Sequence, residues 1–190
     1  MSNESTQEVI PTPAPMKSAG QRDYDKGLEH LKAKESGLAA NAFHNAQIGF
    51  EQEKNANGIA NAADKLGDLC AERGEHEAAL RHYARAYQIC SEGNDRFSLM
   101  SLDKKKASVS FAAHKYPEAI DLYLNILDEY SALRNPEGSV QTLETLATVF
   151  LAQGEKEKAA DAYRTAAAIH AGFQHKNHTQ ELLAKAEALA

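Results

Sequence analysis

Apolar and polar residues alternate with a helical period through residues 63–89, ADKLGDLCAERGEHEAALRHYARAYQI. Ala63, Leu66 and Cys70 fall at steps of three and four, and so do Ala79, Tyr83 and Ala86. This spacing predicts two amphipathic helices joined at Gly74, where a helix end wants a left-handed residue. The second set recurs at 40-residue steps: Ala119, Tyr123 and Ile126, then Ala159, Tyr163 and Ala166, and backwards Ala39, Phe43 and Ala46. The first helices keep a common register too, with Gly27, Gly67, Ala107 and Ala147 in phase. A fixed period without insertions predicts a solenoid of stacked helical hairpins.

The residue types suit close packing. Gly67 and Ala79 are expected to face each other where two antiparallel helices cross, because larger side chains would push the axes apart. Tyr83 then fills the space beyond the crossing and supplies buried area. By this reading the stripe of Tyr83, Tyr123 and Tyr163 is core, not a stacking platform. One hairpin cannot cover its own apolar face, so neighbours must cover it.

The run Leu66-Gly67, Cys70, Gly74, Ala79, Tyr83 and Ala86 resembles the tetratricopeptide repeat (TPR), over about residues 20–175. The usual TPR unit is about 34 residues. The extra length is expected in each second helix and its loop, and a 40-residue unit is similar to the Pins/LGN and kinesin light chain type. The resemblance implies an all-α, right-handed TPR superhelix of four hairpins plus a C-terminal capping helix. It also implies an adaptor that binds a peptide or helix in a concave groove.

The expected organisation is a disordered, proline-containing tail over 1–20, repeats at about 21–57, 58–95, 96–135 and 136–177, and a capping helix at 178–190. In the tail Val9-Ile10-Pro11 is a candidate docking motif, though an inert tail is the simpler reading. Ser36 is expected to cap the second helix, and Thr179 to cap the last one. Pro117 suits a first helical turn. Repeats one and three place Asp23, Lys26 and His30, and Asp103, Lys106 and Ser110, where repeats two and four are apolar. Their Asp–Lys pairs are three apart and can meet on the helix surface, which reads as a wetter face with snorkelling lysines or as a functional stripe.

Composition narrows the function classes. The net charge of −6 argues against nucleic acid. No run reaches the roughly 18 apolar residues of a membrane span, and the N-terminus has no secretory pattern, so the expected setting is cytoplasmic. Cys70 and Cys90 sit a helix apart, too far for the roughly 7 Å a disulfide needs, and read as reduced structural thiols. His170, His175 and His178 straddle a helix end and a loop without a cysteine or carboxylate at ligand spacing, so the expectation is a solvated loop and no metal or cofactor. His76 and His82 read as surface. No nucleophile elbow, phosphate loop, HExxH or CxxC is present, and the chain reads as non-enzymatic.

In TPR folds the first helix of each pair lines the groove. Phase by phase, the resemblance points to Tyr24, Leu28 and Leu31, to Asn61, Asp64, Asp68 and Glu72, to Lys104, Ser108 and Phe111, and to Gln141, Glu144, Thr148 and Leu151. This face is apolar at one end and acidic in the middle, which favours a partner segment bearing Lys or Arg. The matching phases lack both the basic carboxylate clamp of chaperone-binding TPR domains and the repeated asparagines of the Pins/LGN type. A peptide-sensing regulator and a self-assembling module, hence a homo-oligomer, are the other readings.

Overall fold

The computed structural model describes residues 16–189. Within them run α1 (Ala19–Lys32), α2 (Ser36–Gln52), α3 (Ala56–Glu72), α4 (His76–Glu92), α5 (Arg96–Ala112), α6 (Tyr116–Ala132), α7 (Pro136–Gln153), α8 (Lys156–Gly172) and α9 (Lys176–Glu187), with no strand among the described residues. Each helix packs chiefly on its sequence neighbours, so α1/α2, α3/α4, α5/α6 and α7/α8 form four hairpins and α9 closes the row against α8. Leu182 and Ala186 of α9 are buried in one cluster with Leu143 of α7 and Ala159 and Ala166 of α8.

From α2 onward the helices begin at 36, 56, 76, 96, 116, 136, 156 and 176. The two helices of the middle hairpins are equal, 17 residues each in α3, α4, α5 and α6. The extra length relative to a 34-residue unit is therefore spread over both helices, not lodged in the second helix and its loop.

Two helix starts also differ from the sequence expectation. Helix α1 already includes Ala19 and buried Gly20, after Ser18, whose side chain accepts from the Gln21 N–H. Residue Thr179 lies inside α9, its hydroxyl donating to the His175 carbonyl at 3.0 Å, rather than capping it. Residues 1–15, with Val9-Ile10-Pro11, lie outside the described residues.

Asn55, Asp95 and Asn135 cap α3, α5 and α7, accepting from the N–H of Gly58, Ser98 and Gly138 at 3.0, 3.1 and 2.9 Å. Such a cap stabilises a helix start by about 1 kcal/mol. The second helices begin without side-chain caps; Ser36 is the first residue of α2 and makes no cap bond. Each connector turns through one left-handed residue: Gly74 and Gly154 at φ 73° and 88°, and elsewhere Lys34, Lys54, Asn94, His114, Arg134 and Gln174 at φ 51–60°.

Gly67 lies against the Tyr83 ring, not Ala79: a Cβ on Gly67 would come within 2.5 Å of it. Gly27 receives the Phe43 ring in the same way. Phe43 is 0% and Tyr83 2% exposed, each burial favouring folding by about 2–3 kcal/mol. Where the phase holds Ala107 or Ala147, the facing Tyr123 and Tyr163 are only half-buried. The ring is fully buried where the facing residue is glycine and half-buried where it is alanine. The stripe is core at Tyr83 and wall at Tyr163.

The Asp–Lys pairs of repeats one and three do meet, at 3.1 Å in both. The Lys106 ammonium also lies 4.3 Å from the centroid of the Tyr87 ring. The lysine stem covers apolar surface while its head stays wet.

Candidate functional site

The first helices α1, α3, α5, α7 and α9 share one face, and the fourteen candidate residues fall into four sets there. At the N-terminal end they are mostly packing residues. Tyr24 rests on Phe43 and Phe50 with centroids 5.3 and 6.3 Å away. Leu28 and Leu31 pack on the cluster of Ala39, Phe43, Leu66 and Leu69. They are half-buried and offer little free surface, because Gly27 beside them draws the hairpin close.

The acidic middle is already occupied. The Lys105 ammonium from α5 reaches back to α3 and sits 2.6 Å from Asp64 and 2.7 Å from Asp68. Lys65 adds a second cation 3.4 Å from Asp68, and the Tyr83 hydroxyl donates to Asp68 at 2.9 Å. Burial pulls Lys105 toward its neutral form, but the two carboxylates outweigh it and hold its pKa above the ordinary lysine value. Burial and Asp68 together push the Tyr83 phenol well above its usual range. The acidic patch inferred from sequence is thus an internal ion network. Asn61 and Glu72 remain exposed beside it.

In hairpin three Lys104 and Ser108 are exposed, with Lys104 4.8 Å from the Tyr130 ring centroid. Phe111 leans on Tyr116 at 6.1 Å.

Hairpin four is different. Gln141, Glu144 and Thr148 line a cleft of about 880 Å³ running between α7, the end of α8 and α9. Val140, Tyr163, Ile169 and Phe173 give it an apolar side, and Glu137, Lys185 and three histidines a polar one. Thr148 is exposed and donates its hydroxyl to the Glu144 carbonyl at 3.1 Å. Lys185 lies 3.6 Å from Glu144 and 2.9 Å from Glu181 on its own helix. Leu151 is 37% exposed and is not among the cleft-lining residues.

Sequence reasoning missed Tyr163 as a wall and both bridging lysines. The signal for both was an 80-residue echo: Asp64, Tyr83 and Lys105 recur as Glu144, Tyr163 and Lys185. His170, His175 and His178 gather at the α8–α9 turn with ring centroids 5.0–6.3 Å apart, and His175 and His178 are exposed to solvent as expected. His82 is not a plain surface residue. It is half-buried, and burial, then Arg81, Arg85 and His44, hold its pKa below the ordinary histidine value.

Cys70 and Cys90 are free and partly buried, and burial raises both thiols. Among the described residues no group of three or more His, Cys, Asp or Glu side chains stands in ion-holding geometry, and no helix is long and apolar enough to cross a membrane.

Comparison with known proteins places this geometry. Residues 98–171 match the family model for the tetratricopeptide repeat. No curated protein matches the sequence. The apo form of RapI superposes over 89% of this chain at TM-score 0.73 and 16% identity, and this chain spans 63% of RapI. A Podosopora anserina structure of nearly identical TPR-like repeats, named for the kinesin light chain, is covered over 97% of its length, taking in 92% of this chain, at TM-score 0.65 and 12% identity. A Rap protein complexed with Competence and Sporulation Factor matches 88% of this chain and 46% of its own, at TM-score 0.59 and 15% identity. At these identities the likeness is one of fold.

Proposed function

We propose that this chain, whose residues 98–171 are tetratricopeptide repeats, is a non-enzymatic protein-interaction scaffold that holds a peptide or helix of a partner along the face shared by its first helices. The observation that carries the reading is the 880 Å³ cleft, because three of the four residues assigned to the groove in hairpin four line it. Its mixed lining suits a side chain with an apolar body, while the exposed polar groups on α7 suit the hydrogen-bonding edges of a peptide. The likeness of fold to a Rap protein complexed with Competence and Sporulation Factor lends support, since a similar fold holds a partner there.

The seat is the cleft and not the acidic middle. A lysine- or arginine-bearing segment has to displace Lys105 before it reaches Asp64 and Asp68. Two free thiols suit a reducing compartment, and the proposed setting is cytoplasmic.

The test is site-specific photo-crosslinking. A benzoylphenylalanine at Thr148 is expected to trap a partner that the same probe at exposed Gln88 on α4 does not. Binding of the purified partner should be lost in Gln141→Arg/Thr148→Arg at unchanged melting temperature. Equal trapping from both probes, or full binding by the double variant, rejects the cleft as the seat.

A further inference from the structure

Three positions recur at each junction between one hairpin and the next. One is a ring or small side chain near the end of the second helix: Phe50, Cys90 and Tyr130. One is the cap of the following helix: Asn55, Asp95 and Asn135. The third is a small residue in its first turn: Gly58, Ser98 and Gly138. The parts fit together. A Cβ on Gly58 would come within 2.5 Å of the Phe50 ring, and one on Gly138 within 2.4 Å of the Tyr130 ring.

At the last junction all three positions are histidine: His170, His175 and His178. His175 makes no cap bond to α9. His178 carries a side chain where the other rings need bare backbone or a serine. The cap and the small first-turn residue kept at three junctions are both absent at the fourth, where the histidine rings lie against one another instead, and departures of this kind are expected at functional sites.

The substitutions also converge. His170 Nδ1 and His175 Nδ1 face each other at 3.2 Å. Two imidazole nitrogens bound to one tetrahedral zinc at about 2.0–2.1 Å are separated by about 3.3 Å. The pair therefore already spans one edge of such a site. The His178 ring lies with its centroid 5.0 Å from that of His170. The side chains open onto the cleft, where solvent can supply a fourth ligand.

We propose that His170, His175 and His178 bind a divalent transition-metal ion of the zinc class at the α8–α9 junction. The His170–His175 contact, a hydrogen bond without metal, has the separation of one edge of such a site, and the rings complete the site by turning about their side-chain bonds, since the three do not stand in ion-holding geometry as they are. Imidazole nitrogens suit such ions and not calcium or magnesium, which take oxygen ligands. The bound ion would clip α9 to α8 and fix one wall of the cleft. This inference is independent of the scaffold reading, which the cross-linking test decides separately.

The experiment uses untagged, EDTA-stripped protein titrated with zinc chloride by calorimetry, alongside thermal melting. One ion per chain with micromolar affinity and a raised melting temperature is expected, with no response to calcium or magnesium chloride. The decisive variant is His175→Asn/His178→Gly, which restores the cap and the bare backbone of the α6–α7 junction. It should melt at or above the wild-type temperature without metal, bind zinc at least roughly tenfold more weakly, and lose the zinc-dependent rise. A His76→Gln/His82→Gln control should bind as wild type does. No saturable zinc binding by the wild type, or equal binding by His175→Asn/His178→Gly, overturns the proposal.

Discussion

Two junctions on the shared face are built from the same parts and end differently. Between hairpins two and three, Tyr83 sinks onto Gly67 and Lys105 locks Asp64 and Asp68 within 2.7 Å. Between hairpin four and α9, Ala147 stands where Gly67 was and Tyr163 stays half-buried. Thr148 replaces the second carboxylate, so Lys185 holds Glu144 only at 3.6 Å and turns to Glu181. The first junction is closed by its own charges, and the second is a cleft. One methyl and one missing carboxylate account for the contrast, and a uniform fold can thereby carry a local opening.

The comparison breaks most sharply at the glycine. Gly67→Ala puts a Cβ 2.5 Å from the Tyr83 ring, which should cost about 2 kcal/mol and lower the melting temperature by about 4–8 °C. The reciprocal Ala147→Gly should let Tyr163 settle inward, seen as reduced nitration of Tyr163 by tetranitromethane. A Gly67→Ala protein that melts like the wild type would show that the methyl does not set the depth of the ring.

The charges come next. The side chains of Lys105, Asp64 and Asp68 are 25–30% exposed, so the network is partly screened. Lys105→Met should destabilise by about 1 kcal/mol, through two carboxylates left without their main cation. Lys185→Met should stay within about 0.5 kcal/mol. Urea unfolding at low and high salt measures both, and equal losses would erase the distinction between closed and open junctions.

The smallest effect lies off this face. The His82 pKa is lowered from 6.5 in the folded chain, chiefly by burial. The unfolded chain therefore binds that proton more tightly, so the contribution is complete above about pH 6.5 and is lost as pH falls below it. Melting between pH 7.5 and 5.5 in EDTA should show a decline that His82→Gln reduces. An identical decline in the variant would assign it elsewhere.

The fold was legible because its strongest signal is periodic. Ala39, Ala79, Ala119 and Ala159 are all fully buried at the same phase, and no insertion interrupts the count. The helix starts were less legible: Ser18 and Asn55 cap α1 and α3, but single polar residues of this kind are common in a sequence, and the sequence register starts the repeats a few residues later. Gln141, Glu144 and Thr148, chosen by phase, do lie together along one cleft. The face was misread where a residue's role depends on one 40 positions away. Asp64 looks free until Lys105 is placed, and the adjacent Lys104, chosen by phase, points to Tyr130 instead. The difference between a buried and a standing tyrosine was present in Gly67 against Ala147, but only contact distances show what a methyl does there.

The connectors have a practical consequence. Six of the eight hold a side-chain-bearing residue in a conformation that glycine adopts more readily, each at a penalty of about 1 kcal/mol. Glycine at Lys34, Lys54, Asn94, His114, Arg134 and Gln174 would relieve that penalty while leaving every groove residue untouched. The molecule therefore carries a set of trimming screws for heat resistance, of which only Gln174, between Phe173 and His175, sits beside the cleft.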